Sequence, residues 1–103
     1  MTMRFWELEP DWDDDNIGHI GLHRVEPEEV EEIVYEDCYP SWIVRVKQRR
    51  IRESRWAVFG QTCAGRYLLA IVAPYPQRGV WRAVTARDMG LQARRRYQQW
   101  RKG

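Results

Sequence analysis

Seven consecutive positions from Tyr67 to Ala73, YLLAIVA, carry almost no polar side chain and are bounded by Gly65 before and Pro74 after. A run this short and apolar, without strict alternation, predicts a central strand covered on both faces rather than a helix. The segment Arg55–Phe59 reads as its partner, turning back through Gln61–Gly65, with Gly60 and Gly65 supplying the backbone angles of the hairpin. Pro74–Gly79 predicts a second turn and Val80–Arg87 a third strand, in which Arg82 and Arg87 fall on different faces of an ideal ladder. Upstream, Trp42, Val44 and Val46 alternate with Ile43, Arg45 and Lys47, the pattern of a strand with one basic face. Gln48–Arg52 is then expected as a basic turn or exposed strand end.

Helical spacing governs the two ends of the chain. Asp11 reads as an N-cap for a short helix over about Trp12–Leu22, with acidic residues near its positive end. Gly18 and Gly21 weaken that helix and suggest another backbone close by. Asn16, His19 and His23 fall on one side of it, where the two imidazoles are expected as hydrogen-bonded structural groups, too few for a zinc site. A second helix begins at Pro27 and runs to about Tyr35, with Val25 stapled onto Val30, an inward stripe of Val30, Ile33 and Val34, and an outer face of glutamates. Asp88 reads as the N-cap of a final helix over Met89–Arg101, whose stripe is Met89, Ala93, Tyr97 and Trp100. The opening residues, with Phe5, Trp6 and Leu8, show no period. The expected architecture is one α+β domain over residues 1–103: two short N-terminal helices, an antiparallel sheet of about four strands and a C-terminal helix packed on it.

Charge sharpens this picture. Residues 1–40 hold 13 Asp or Glu against Arg4 and Arg24, whereas residues 41–103 hold 15 Lys or Arg against Glu53 and Asp88, so a net charge of +2 conceals an acidic half and a basic half. Such asymmetry points to nucleic-acid contact by the basic half, to an acidic segment folded over it, or to neutralisation within one domain. Cys38 and Cys63 make no disulfide framework, no signal peptide is visible, and no apolar stretch approaches 18 residues. The expectation is therefore a reduced, cytoplasmic protein without a membrane segment.

Two segments resemble the BrnT-type toxin family of bacterial type II toxin–antitoxin systems. WDDDNIGHIGLHRVEPEEVEEI, Trp12–Ile33, is similar to the family's N-terminal Trp-Asp, Asn, His and Pro-Glu-Glu-Val pattern. RWAVFGQTCAGRYLLAIV, followed by WRAVTARDMGLQARRRYQQW, resembles its Arg-aromatic strand, Gly-x-Thr-x-x-Gly-Arg turn, Thr-Ala-Arg strand end and Arg-Arg-Tyr helix. Arg24 stands where the family usually has glycine, Ala93 where it usually has glutamate, and acids replace the lysines common near the start. The resemblance implies a RelE-like fold, ribonuclease activity and neutralisation by an adjacently encoded antitoxin, and leaves open a homodimer within the complex.

The implied reaction, RNA cleavage without metal or cofactor, needs a base for the 2′-hydroxyl, an acid for the leaving oxygen and cations around the phosphorane. Arg55, Arg66, Arg82 and Arg87 are the candidate clamps, because a planar guanidinium pairs bidentately with phosphate. His23 is the candidate base, and Tyr97 the candidate acid despite its place on an apolar stripe. Arg45, Lys47, Arg94, Arg95 and Arg96 are expected to track the RNA backbone. Strand-held Arg82 and Arg87 are expected to matter more than Arg94, Arg101 or Lys102. Two further classes stay open: a non-catalytic RNA- or ribosome-binding domain, and an interaction protein with an acidic partner chain.

Overall fold

A computed structural model describes residues 4–47 and 53–103. The chain is α+β, in the order β1 (Glu9–Pro10), α1 (Asp14–Gly21), α2 (Pro27–Val34), β2 (Trp42–Val46), β3 (Arg55–Gln61), β4 (Tyr67–Tyr75), β5 (Val80–Asp88) and α3 (Leu91–Lys102). The five strands form one sheet in the order β1-β5-β4-β3-β2. The apolar run is thus its middle strand, as expected. Gln48–Arg52, read from the sequence as a basic turn or exposed strand end, lies outside the described residues.

β2 to β5 form an antiparallel meander, in which each strand pairs with the next in sequence. The fifth strand, missed in the sequence, is β1: Glu9 and Pro10 pair in parallel with Val80 and Trp81, which makes the sheet mixed. Two residues including a proline carry no periodic signal, and their pairing depends on the far end of the chain.

Register divides the sheet into two faces. Val58, Ala70 and Ala86 lie in one row and Val72 opposes Ala83; these side chains form a dry core with Ile20 of α1, Val25, and Val30 and Ile33 of α2. Val25 and Val30 share this core, as the staple reading required. Trp81 is fully buried there, its indole N–H donating to Tyr35 Oη at 2.9 Å while Tyr35 donates to the Leu8 carbonyl at 2.6 Å. Phe5 is buried at the end of this layer, whereas Trp6 is exposed. Burial of such side chains contributes about 1.5–3 kcal/mol each.

The opposite face is only partly covered, correcting the expectation that β4 is enclosed on both sides. Leu69 and Ile71 are half-buried there, while Leu68, Ala70 and Val72 are fully buried on the helical side. α3 lies against one end of this second face, with Tyr97 against Tyr67, and Trp100 stacked on Trp42.

A bulge in β5 changes which way its arginines point. Ile71 opposes Thr85 but Val72 opposes Ala83, leaving Val84 as an extra residue. The alternation slips by one, so Arg82, opposite Ala73, and Arg87, opposite Leu69, share the second face rather than lying on different ones.

Local signals were resolved differently from several expectations. Asp13, not Asp11, caps α1: its carboxylate accepts from the Asn16 N–H, and Asn16 Oδ1 accepts from the Asp13 N–H. Among the described residues no backbone approaches Gly18 or Gly21, so that reason for glycine in α1 finds no support there. Gly60 supplies space rather than an unusual angle, since a Cβ there would lie 2.7 Å from Ile33 Cβ and 2.6 Å from Ser41 Oγ. Gly65 does adopt a positive φ of 98°, within a turn closed by Thr62 and Arg66. Asp88 remains in β5 opposite Leu68, and α3 starts after Gly90.

Cys38 and Cys63 form a disulfide between the segment after α2 and the β3–β4 turn, contrary to the reduced pair expected. Their separation of 25 residues gave no hint that the fold brings their Cα atoms to 5.2 Å, a distance compatible with bridging. Among the described residues no helix is long and apolar enough to cross a membrane.

Candidate nucleic-acid interface

Three of the four arginines expected to clamp phosphate, Arg55, Arg66 and Arg82, are engaged by carboxylates of the chain itself. Arg66, just after the turn, spends its guanidinium within the chain: Nε and Nη2 donate to Asp88, Nη1 to Glu29 and to the Arg24 carbonyl, and Nη2 also to the His23 carbonyl. It ties the α1–α2 turn, α2 and β5 together, and the Asp88 hydrogen bond, followed by Glu29, raises its pKa further. In return Arg66 lowers the pKa of Asp88. Arg66 is a structural knot, not an available clamp.

Arg82 is committed as well. Nη1 donates to Asp11 at 3.0 Å and Nη2 to Asp13 at 2.7 Å, which holds the start of α1 against β5. Arg55 pairs with Glu53 at 3.4 Å, and the same carboxylate accepts the Tyr75 hydroxyl. Arg87 is exposed and enters no salt bridge among the described residues.

His23 is exposed in the turn after α1, with its carbonyl on Arg66. Asn16, read with it, is a buried cap whose amide donates to the Asp11 carbonyl. Tyr97 is fully buried, its hydroxyl donates to the Pro40 carbonyl, and burial raises its pKa. A phenol so enclosed cannot reach a leaving oxygen, which corrects its reading as the acid. No group of three or more His, Cys, Asp or Glu able to hold a metal ion occurs among the described residues.

What the fold does assemble is an open cleft of about 430 Å³ between the start of β4 and the last turns of α3, lined by Tyr67, Gln98, Arg101 and Lys102. Tyr67 stands on the second sheet face opposite Gln61, and α3 carries Arg94, Gln98 and Arg101 at helical spacing beside it. Gln98 Nε2 donates to Tyr67 Oη at 3.3 Å, and the Arg94 guanidinium lies 4.0 Å from the Tyr67 ring centre. The Gln98 hydrogen bond lowers the Tyr67 pKa against the opposing effect of desolvation, and the charges of Arg94 and Arg101 act in the same direction. Arg101 is positioned by Gln61 Oε1 at 2.8 Å and by the rings of Tyr39 and Tyr97.

Arg95, Arg96, Arg45 and Lys47 are exposed, the first two on α3 and the last two on or just after β2. Arg94 is exposed yet oriented by Tyr67, so it stands beside the cleft. The acidic helix α2 meanwhile serves the interior of the chain, with Glu29 on Arg66, Glu31 accepting the Trp12 indole N–H and Glu32 accepting the Cys63 amide. Of the residues lining this cleft, Tyr67 and Gln98 have no place among the candidates read from the sequence, and Arg101 and Lys102 rank there below the strand arginines. Only the cluster of basic residues on one helix pointed towards them, because Tyr67 reads in sequence as an ordinary strand residue.

No protein-family model matches the sequence, and no curated protein or solved structure is significantly similar to it.

Proposed function

We propose that the protein binds RNA along α3 and the Tyr67 cleft and cleaves it without a metal, as the cytoplasmic ribonuclease toxin of a toxin–antitoxin pair. One observation carries this reading: a phenol of lowered pKa standing among Arg94, Arg101 and Lys102 in an open cleft. Below its pKa the Tyr67 hydroxyl carries the proton that a departing 5′-oxygen requires. Arg101 and Lys102 supply positive charge for a phosphorane held beside it, and Arg94, Arg95 and Arg96 extend the field along the helix. Tyr67 thereby takes the acid role first given to Tyr97, and Arg101 and Lys102 replace Arg66 and Arg82 around the phosphate. A partner antitoxin that neutralises this surface would present acidic groups to α3.

A non-catalytic RNA-binding role is the second reading, favoured by one specific feature: among the described residues lining the cleft there is no imidazole or carboxylate to serve as base. Both readings meet the same experiment. A defined RNA is incubated with the wild type and with Tyr67→Phe in the presence of a chelator, and binding and cleavage are followed separately. Cleavage by the wild type that Tyr67→Phe loses, with binding retained, supports the ribonuclease. Binding without cleavage by either protein leaves the non-catalytic domain, and no binding at low salt removes both.

A further inference from the structure

We propose that Cys38–Cys63 is a reversible thiol-exchange site, acted on by a small dithiol, and that its state governs the shape of the Tyr67 cleft. The consequence for RNA rests on the function proposed above; the structural switch does not. Both cysteines are exposed, so a thiolate can reach the bond. The two segments it joins bracket Arg101. On one side Tyr39, next to Cys38, places its ring 5.2 Å from the Arg101 guanidinium, and the Pro40 carbonyl receives the Tyr97 hydroxyl. On the other side Gln61, two residues before Cys63, accepts from Arg101 Nη1 at 2.8 Å and donates to the Gly65 carbonyl at 3.0 Å.

The remaining anchors show what would stay and what would loosen. Ser41 donates through its hydroxyl to the Ile33 carbonyl and through its N–H to Glu36, while the Cys63 amide donates to Glu32. These contacts hold the ends of both segments without the disulfide. Between them, Glu36 carries a left-handed φ of 53° that a residue with a side chain rarely adopts. The Asp37 N–H donates to the Glu32 carbonyl and the Tyr97 hydroxyl holds the Pro40 carbonyl, so opening the bond loosens Cys38 and Tyr39 between these two anchors and lets the ring move from beneath Arg101, while the core on the other sheet face is untouched. In a reducing compartment disulfides are typically transient, as such a device requires.

The exchange balances simply. One thiolate of the dithiol attacks a cysteine sulfur, the S–S bond breaks, and the other cysteine leaves as a thiolate. The second thiol then displaces the first cysteine. Two electrons and two protons pass to the protein, and the dithiol becomes a disulfide.

The test compares the oxidised protein, the protein reduced by dithiothreitol, and the double variant Cys38→Ser with Cys63→Ser. Amide hydrogen exchange is followed over residues 37–41 and 61–66, and affinity for a short single-stranded RNA is measured at one salt concentration. Faster exchange confined to those segments in the reduced protein and the double variant, with β4 protection unchanged, is expected. RNA binding should weaken about three- to tenfold, the loss anticipated when one pre-ordered arginine becomes free. Identical exchange in the two redox states, or reduction only upon global unfolding, overturns the proposal. If exchange changes but no form binds RNA, the switch stands and the RNA reading falls. If Arg101→Ala weakens RNA binding while oxidised and reduced proteins bind equally, the RNA reading stands and control of the cleft by the disulfide falls.

Discussion

The Arg94 guanidinium sits 4.0 Å from the centre of the Tyr67 ring, so a cation faces the phenol that lines the cleft. Tyr35 and Tyr97 are shifted upward by burial, in the opposite direction to Tyr67. An alkaline titration followed at the tyrosinate band should therefore show an early component that disappears in Tyr67→Phe. If Tyr67 is the acid, raising the pH through its lowered pKa removes the proton that it donates. RNA cleavage should then fall on an alkaline limb below about pH 10, and Tyr67→Phe should lose about 10²- to 10⁴-fold in rate. An alkaline limb unchanged by Tyr67→Phe would exclude the assignment.

The arginines should separate into two groups. Arg66→Ala leaves Asp88 and Glu29 without their cation and two carbonyls without a donor, and should cost about 2 kcal/mol in urea unfolding. Lys102→Ala should leave stability unchanged while lowering the slope of log affinity against log salt by about one unit. A reversed pattern, with Arg66 affecting only RNA and Lys102 only stability, would refute the division between the knot and the cleft.

Backbone geometry yields a pair of stability changes of opposite sign. Gly60→Ala forces a methyl against Ile33 and Ser41 and should destabilise by about 1–3 kcal/mol. Arg24 adopts a left-handed φ of 57°, and Arg24→Gly should relieve about 1 kcal/mol of that cost. Chemical denaturation of both variants against the wild type reads the two effects directly.

Acid should loosen the junctions made by Asp13 and Asp88. Asp13 has a lowered pKa through the Asn16 backbone hydrogen bond and then Arg82, and Asp88 through Arg66. A carboxylate with a depressed folded pKa contributes its full stability above the unfolded value near 3.9 and loses it as pH falls through the folded one. Thermal melts should thus be flat in this respect above about pH 5 and decline below about pH 4. Asp88→Asn should shrink that decline; an unchanged slope would show that Asp88 does not contribute.

The elements most legible in the sequence were those set by local chemistry. Pro27, the glutamates after it and the stripe of Val30, Ile33 and Val34 specify α2 almost alone, and the apolar run of β4 allows little besides a central strand. Where several local signals competed, tertiary contacts decided. Asp11 and Asp13 are equivalent cap residues in sequence, and both bond Arg82; Asp13 caps through its other oxygen, Oδ1, while Asp11 is shared between Arg82 and Arg78. Asp88 would cap a helix, yet Arg66 and the ladder keep it in β5. The candidate site was the least legible, because Tyr67 acquires its character from Gln98 and Arg94 on another element. The bulge that turns Arg82 and Arg87 to one face is equally silent, since Val84 fits a regular strand as well as a bulged one.

The parallel pairing of β1 with β5 has a kinetic consequence. The meander from β2 to β5 closes through neighbours in sequence, whereas Glu9–Pro10 must wait for Val80–Trp81, and the Asp11 and Asp13 bridges to Arg82 form only then. Loop-closure entropy favours the local hairpins first, which makes the amino-terminal strap the last piece to dock and the first to release. Arg82→Ala should therefore accelerate unfolding while leaving the refolding rate nearly unchanged, a φ-value near zero. The native state would then owe its lifetime, more than its speed of formation, to contacts between the acidic beginning of the chain and the basic strand near its end.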